Sequence, residues 1–183
     1  MRVFIGVGHG GRDPGAVSQG FKEKDINLDI ALMLKSELEK YGVTAIVSRT
    51  SDSSQALYQK INVANMSKSD LALDVHTNAG GGTGFEAYVP LYRDSCQSLR
   101  LAKLIEEEIQ KTGQRSRGIK TRKNASGYDY FGFLKSVNCP RAILECAFID
   151  SGDINKINTP QKRMLIAKAY ARGIVRYFGN KEE

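Results

Sequence analysis

Only two histidines occur in this chain of 183 residues, His9 and His76, and each follows directly after an apolar segment. These segments, residues 3–7 and 71–75, have the apolar run of short buried strands. A single histidine more often has a structural role than a role as a metal ligand. Two histidines at equivalent strand ends are harder to explain by structural roles alone. Imidazole suits zinc, and catalytic zinc sites commonly take three protein ligands and a water. The pair therefore predicts a metal or catalytic site.

A third ligand for such a site is expected to be a carboxylate near the same edge. Glu23 and Asp25 lie where the first predicted helix begins, just beyond the glycine-rich segment that carries His9. An acidic residue at this position also stabilises a helix N-terminus through the helix dipole. Position alone therefore leaves a ligand role and a helix-terminal role for Glu23 equally open.

Glu145 interrupts residues 142–149, a segment that otherwise predicts a buried strand. An isolated buried carboxylate is costly, so such a residue is usually paired, bound to metal or protonated. The structural alternative is an ion pair with Arg141 or Arg49. A carboxylate with a raised pKa that faces a metal-bound water is what a general base requires, and we favour this interpretation.

The elements that must position these residues alternate along the chain. Apolar and β-branched runs predict strands, and apolar residues at every third or fourth position predict helices. The predicted strands are residues 2–7, 43–48, 71–75, 84–89 and 141–149. The first helix is predicted from Ile26 to Gly42, and the second begins after a cap at Ser53 or Ser54. The third is predicted from a cap at Asp94 or Ser95 to Gly113, and the fourth in the aromatic segment 130–134. The last helix is predicted to begin at Thr159, its N-cap, followed by Pro160.

This alternation predicts a three-layer α/β fold, with a mostly parallel, twisted sheet of about six strands and helices on both faces. Ligands of such folds bind beyond the carboxyl ends of the strands, where both histidines are expected. The length fits one domain, residues 1–180, followed by a C-terminal tail at residues 181–183 and no separate binding domain.

The net charge of +7 makes an anionic partner plausible. Much of it lies in one basic run, which is more often a solvated face than a binding site. The run comprises Arg115, Arg117, Lys120, Arg122 and Lys123. It has no interleaved aromatic residues, and the chain offers no basic recognition helix, so we expect no nucleic-acid partner. No apolar run approaches the ~20 residues of a membrane span, so we expect no membrane insertion.

The three cysteines, Cys96, Cys139 and Cys146, have no CxxC spacing, and their odd number leaves at least one unpaired. We predict buried free thiols and folding in a reducing compartment. The first residues, MRVFIGVGHGG, do not have the length or cleavage site of a signal peptide. We therefore expect no export signal in this chain.

Taken together in this order, five segments resemble the zinc-dependent type 3 family of N-acetylmuramoyl-L-alanine amidases, found among bacterial autolysins and phage endolysins. The resemblance extends from Val3 to about Tyr177. The segments are GHGGRDPGA at residues 8–16, G-x-x-E-K-x-x-N-L at 20–28, R-T-x-D at 49–52, DVHTNA at 74–79, and the closing strand at 140–149.

The resemblance implies that His9, Glu23 and His76 bind Zn²⁺ and that Glu145 is the catalytic glutamate. It further implies hydrolysis of the peptidoglycan amide that joins the lactyl group of N-acetylmuramic acid to L-alanine. Asn78, two residues beyond His76, is expected to bind substrate or orient that histidine, with loop packing equally open.

Three positions depart from the usual pattern of the family. Asp74 stands where serine is common, Lys60 where arginine is common, and Asp150 where asparagine is common. None of the three is a proposed ligand. We therefore expect them to affect the geometry around the site or fine specificity more than the class of reaction.

Two other functions remain open from the sequence: a zinc peptidase that cuts within the stem peptide, and a wall-binding module without activity. The retained Glu145 favours an enzyme. We expect peptidoglycan as partner, with anionic wall polymers as a second partner of the basic surface. An enzyme of this kind acts at the bacterial cell wall, released by a holin or by lysis, or exported as part of a larger autolysin.

Overall fold

A computed structural model describes residues 1–179 of the chain, so the predicted tail at residues 181–183 lies outside the described residues. The strands are β1 (Arg2–Val7), β2 (Val17–Ser18), β3 (Phe21–Lys22), β4 (Thr44–Val47), β5 (Leu71–Asn78), β6 (Phe85–Tyr88), β7 (Ser116–Lys120) and β8 (Arg141–Phe148). The helices are α1 (Glu23–Lys40), α2 (Leu57–Met66), α3 (Ser95–Gln110), α4 (Gly132–Ser136) and α5 (Pro160–Tyr177), with a 3₁₀ turn at Gly152–Lys156.

Six strands form one sheet in the order β4-β1-β5-β8-β6-β7, and β2 and β3 form a separate hairpin. The pairs β1–β4, β1–β5, β5–β8 and β6–β7 are parallel, whereas β6 runs antiparallel to β8. This arrangement confirms the predicted α/β fold with a mostly parallel sheet of about six strands. It also places His76 and Glu86 on either side of Glu145 in register.

The two faces of the sheet are covered unequally. The three long helices α1, α3 and α5 pack with one face into the larger core cluster. The shorter α2 and α4 contribute Ala64, Phe133 and Leu134 to a smaller cluster on the other face, with Phe4 and Ile143 of the sheet. The large core therefore stabilises the fold from one side, while much of the opposite face is available for a site.

Several predicted boundaries were wrong. Helix α2 begins at Leu57, and its N-cap is Ala56, whose N–H donates to the Gln59 side chain at 3.0 Å. Ser53 and Ser54 therefore do not cap it. Helix α1 begins at Glu23, three residues before the predicted start, because the hairpin β2–β3 leads directly into it.

The caps of the other two long helices differ from each other. Asp94 occupies the N-cap position of α3 but has a left-handed backbone, with φ of 58°, and makes no side-chain cap bond. Thr159 caps α5 as predicted, since its hydroxyl oxygen accepts from the N–H of Lys162 at 3.3 Å and Pro160 follows.

The three cysteines are free, but their burial was only partly predicted. Cys146 is buried and Cys139 is half-buried, whereas Cys96, in the first turn of α3, is exposed. None of the described helices combines the length and the apolar character needed to cross a bilayer.

Candidate active site

Two glycines, one in β1 and one directly after it, make room for side chains that project from the neighbouring strand β5. A Cβ at Gly8 would lie 2.5 Å from Cε1 of His76, and one at Gly6 would lie 2.5 Å from Oδ1 of Asp74. Any larger residue at these positions would collide with the two side chains. His76 itself lies within β5, which continues three residues beyond its predicted end.

The loop after β1 fixes the ring of His9. This residue has a left-handed backbone, with φ of 60°, a conformation that non-glycine residues seldom adopt. Arg49 Nε donates to the carbonyl of His9 at 2.8 Å, and His9 Nδ1 donates to Asp13 at 2.7 Å. These contacts leave Nε2 directed at Glu23, 3.2 Å from its Oε2.

Glu23 bridges the two histidines from the first turn of α1. Its Oε1 lies 3.0 Å from His76 Nδ1, opposite the contact that Oε2 makes with His9. The backbone N–H groups of Ala16 and Thr77 donate to the same carboxylate at 3.0 and 3.1 Å. Glu23 is therefore a buried member of the cluster and more than a helix-terminal acid, whereas Asp25 is exposed.

The donor atoms of His9, Glu23 and His76 all lie within 4.8 Å of one another. Ligand bonds of 2.0–2.1 Å in a tetrahedral zinc site place neighbouring ligand atoms about 3.4 Å apart. The measured contacts of 3.2 and 3.0 Å are close to that spacing. Two imidazoles and one carboxylate in this arrangement can hold a divalent metal ion.

The charges of the cluster are strongly coupled. Hydrogen bonding to Glu23 raises the pKa of His9, although burial works against this. Burial would lower the pKa of His76, but the carboxylates of Asp74 and Glu23 outweigh it and raise that pKa to about 10. Burial would likewise raise the pKa of Glu23, but both histidines hold it well below its usual range. The carboxylates of Glu23 and Asp74 thus stabilise a positive charge placed beside them.

Glu145 faces the same site from β8. It pairs in register with His76, and its Oε2 is buried without a hydrogen-bond partner among residues 1–179. Neither candidate ion-pair partner contacts it: Arg141 pairs with Asp94, and Arg49 donates to backbone carbonyls. Burial raises the pKa of Glu145 to about 7, and nearby carboxylates contribute.

We expect the metal-free Glu145→Gln variant to gain stability over the parent as the pH rises. Burial raises the pKa of Glu145 from the ordinary glutamate value of 4.5 to about 7 in the folded protein, so the stabilisation present below pH 4.5 is lost as the pH rises through 7. Between pH 5 and pH 8 the advantage of the variant should widen by about 2–3 kcal/mol.

Urea unfolding of chelator-treated protein at the two pH values measures this difference. Glu39→Gln, an exposed carboxylate of α1, serves as the matched control and should show no widening. An equal advantage at pH 5 and pH 8 would show that Glu145 has an ordinary pKa.

Two of the three departures from the family pattern contact each other. Lys60 of α2 and Asp74 of β5 form a buried ion pair, with Lys60 Nζ 2.9 and 3.1 Å from the two carboxylate oxygens. Asp74 Oδ2 also lies 3.5 Å from His76 Nε2. The sequence alone does not show this ion pair, because Lys60 and Asp74 meet only when α2 packs on the sheet.

Removing one member of this pair should be costly. Lys60→Met removes the nearest cation from the buried Asp74 carboxylate and leaves only His76 beside it at 3.5 Å, which is expected to lower the free energy of unfolding by about 3–5 kcal/mol. Adding Asp74→Asn should recover much of the loss, since the double variant has neither charge of this pair. Lys35→Met, in the exposed pair with Glu39, is the control and should change stability by less than about 1 kcal/mol. Chemical denaturation checks all three, and a loss below 1 kcal/mol for Lys60→Met would contradict the argument.

Asn78 makes contacts within the protein. Its Nδ2 donates to Glu86 at 3.2 Å and its Oδ1 accepts from the N–H of Ala79 at 2.8 Å. Sequence reasoning missed Glu86, a buried carboxylate in the apolar strand β6. The signal was available, because Glu86 interrupts an apolar strand in the same way as Glu145.

The borders of the site are formed by loops and by α4. Asp150, the third departure from the family pattern, accepts from the N–H groups of Gly80 and Gly81 at 2.7 and 3.0 Å. These bonds fix the position of the glycine-rich loop at residues 80–84.

A cavity of about 270 Å³ opens beside the histidines. Its lining comprises His9, Asp13, Gln55, Leu57, Lys60, Asp74, His76, Phe131, Gly132, Phe133 and Ile143. Tyr128 and Tyr130, which precede α4 in the sequence, are both exposed.

The family model for N-acetylmuramoyl-L-alanine amidases matches residues 3–176. The chain is similar to the sporulation-specific N-acetylmuramoyl-L-alanine amidase of Bacillus subtilis strain 168, with 36% identity over all of this chain and 70% of that protein. It is also similar to the endolysin of Bacillus phage SPP1, with 35% identity over 82% of this chain and 56% of that protein.

A solved structure of Cwp6 from Clostridium difficile has the same fold. It superposes with a TM-score of 0.92 and 34% sequence identity, covering 96% of this chain and 29% of that one. The residues that the family model matches, 3–176, include the three residues of the His–Glu–His cluster.

Proposed function

The chain belongs to the N-acetylmuramoyl-L-alanine amidase family and hydrolyses peptidoglycan as an amidase, and we propose that zinc and four side chains perform the reaction. The bond is the amide between the lactyl group of N-acetylmuramic acid and L-alanine. His9, Glu23 and His76 would hold the zinc ion, and Glu145 would move the proton. The single observation that carries this assignment is the convergence of the three ligand atoms within 4.8 Å beside Glu145.

The donor set favours zinc among divalent cations. Imidazole and carboxylate ligands at these spacings suit a tetrahedral zinc site, whereas magnesium and calcium prefer oxygen ligands alone. When bound, the zinc ion supplies a Lewis acid that polarises the amide carbonyl and promotes ionisation of the attacking water. Asp13 holds Nδ1 of His9 and so orients its ring for metal binding.

Glu145 would act as general base and then as general acid. With its pKa near 7, its carboxylate can accept a proton from the attacking water and its carboxyl can deliver that proton to the departing alanine nitrogen. Because Oε2 has no hydrogen-bond partner within the described chain, it is free to take up a proton without breaking an existing contact.

The products of wall digestion test the proposal. Purified cell walls are incubated with the zinc-loaded protein, and free amino groups are followed alongside reducing sugars. Release of L-alanine amino termini without new reducing ends supports the amidase. New amino termini from other stem residues would instead identify a stem peptidase, and no release at all would leave a wall-binding module.

We place the site of action at the bacterial cell wall. Relatives of this chain include an endolysin of a Bacillus phage and a sporulation-specific amidase of Bacillus subtilis. Peptidoglycan, the substrate of the family, is found there.

A further inference from the structure

Four hydrogen-bond donors converge on the buried carboxylate of Glu86 in strand β6. Lys120 Nζ donates to it at 2.6 Å, Asn78 Nδ2 at 3.2 Å and the Tyr88 hydroxyl at 3.3 Å, and Arg117 Nε donates to the same oxygen as Lys120. Two cations thus share one carboxylate, so the group carries a net positive charge. The basic run of the sequence supplies both cations.

The position of this group is set by the sheet. Glu86 lies directly opposite Glu145 in the antiparallel pair β6–β8, and residues opposite each other project from the same face. Strand β7, which carries Arg117 and Lys120, is the next strand beyond β6. Two strand spacings therefore separate these cations from the strand of Glu145, about 10 Å.

Arg117 is held in place by one of its three guanidinium nitrogens, and the other two are available as hydrogen-bond donors. Its Nε is used by Glu86, and its guanidinium lies over the ring of Phe148 at 5.2 Å. Its two terminal nitrogens donate to no other residue of the described chain, 1–179, and its side chain is 38% exposed. A guanidinium fixed at one nitrogen and free at the others is arranged to bind a carboxylate with two parallel bonds.

We propose that Arg117 and Lys120, held on Glu86, bind the free α-carboxylate of the second stem-peptide residue and so select among stems. The inference rests on the proposed function, because it concerns the peptide that leaves the scissile amide. In peptidoglycan the second residue is a glutamate linked through its side chain, which leaves its α-carboxyl group free or amidated. An extended peptide reaches about 7 Å over two residues, which brings that group within reach of the long side chain of Arg117.

Two synthetic substrates that differ only at this group test the proposal. They are N-acetylmuramoyl-L-alanyl-D-isoglutamate and its α-amide, N-acetylmuramoyl-L-alanyl-D-isoglutamine. The parent should hydrolyse the free acid with a kcat/KM about tenfold higher or more, the size expected from one charge-assisted hydrogen-bond pair. In Arg117→Gln and in Lys120→Gln this ratio should fall towards one. The ratio is measured on one sample, so partial unfolding of a variant does not alter it.

Lys168→Gln is the matched control, since it removes the same charge from the exposed side of α5 on the opposite face of the sheet. It should keep the preference of the parent. A parent that hydrolyses both substrates equally, or variants that keep the full preference, would overturn the proposed subsite and leave the amidase assignment intact. Hydrolysis of neither substrate by the parent would overturn the proposed function and this subsite with it.

Discussion

Glutamine in place of Glu145 is expected to lower kcat on cell walls by roughly 10²–10⁴-fold, the usual contribution of a positioned general acid–base group. The substitution preserves the shape of the side chain and removes only its capacity to accept a proton. Because the Glu145 side chain forms no hydrogen bond with His9, Glu23 or His76 among residues 1–179, the metal ligands should keep their positions.

Two measurements separate this effect from a general loss of structure. The metal content of Glu145→Gln should equal that of the parent, while its release of L-alanine amino termini falls. Glu39→Gln, which makes the same chemical change at an exposed position on α1, should retain parental activity. An active Glu145→Gln enzyme would remove this residue from the proposed mechanism.

The second large effect is expected at Glu23. Glu23→Gln removes the one negative charge among the ligands and leaves an amide nitrogen directed at one of the imidazoles. We expect metal affinity to fall at least ~100-fold, more than is typical when only a partner of a ligand is lost. Activity at limiting zinc should fall with it.

The thermal stability of the metal-loaded protein provides an independent measurement. A chelator should lower the Tm of the parent, because a metal at about 1,000 times its Kd adds about 4 kcal/mol to the free energy of unfolding. The Tm of Glu23→Gln should not respond to the chelator. Asp25→Asn, an exposed carboxylate two residues away in the same helical turn, is the control and should respond as the parent does. Stoichiometric metal in purified Glu23→Gln would contradict Glu23 as a ligand.

The position of His9 and His76 at one edge of the sheet was predictable from residue type and strand periodicity. Both signals are local, since an apolar run followed by a rare polar residue is visible without any partner. Glu23 is different, because an acid at a helix start has a sufficient local explanation. Only the packing of the α1 N-terminus against β5 brings it between the histidines, and that contact spans 53 residues of sequence.

The polar network around the site could not be predicted in the same way. The Lys60–Asp74 pair depends on how α2 lies across the sheet, and the contacts of Glu86 depend on the register of β6, β7 and β8. Strand β7 itself was missed, because SRGIK has no apolar alternation. Its Arg117 interacts with a buried carboxylate instead of an apolar core, so it gives no hydrophobic signal.

The unequal covering of the two sheet faces has a consequence for the kind of molecule that can be processed. A line from Gly8, just beyond the end of β1, through His76, Glu145 and Glu86 crosses the neighbouring strands β5, β8 and β6 on the face that the three long helices leave free. We expect a ligand lying along this line to extend past the reacting bond on the side of β6. Such a surface suits cleavage at interior positions of a cross-linked mesh, where no free chain end has to be threaded into a tunnel.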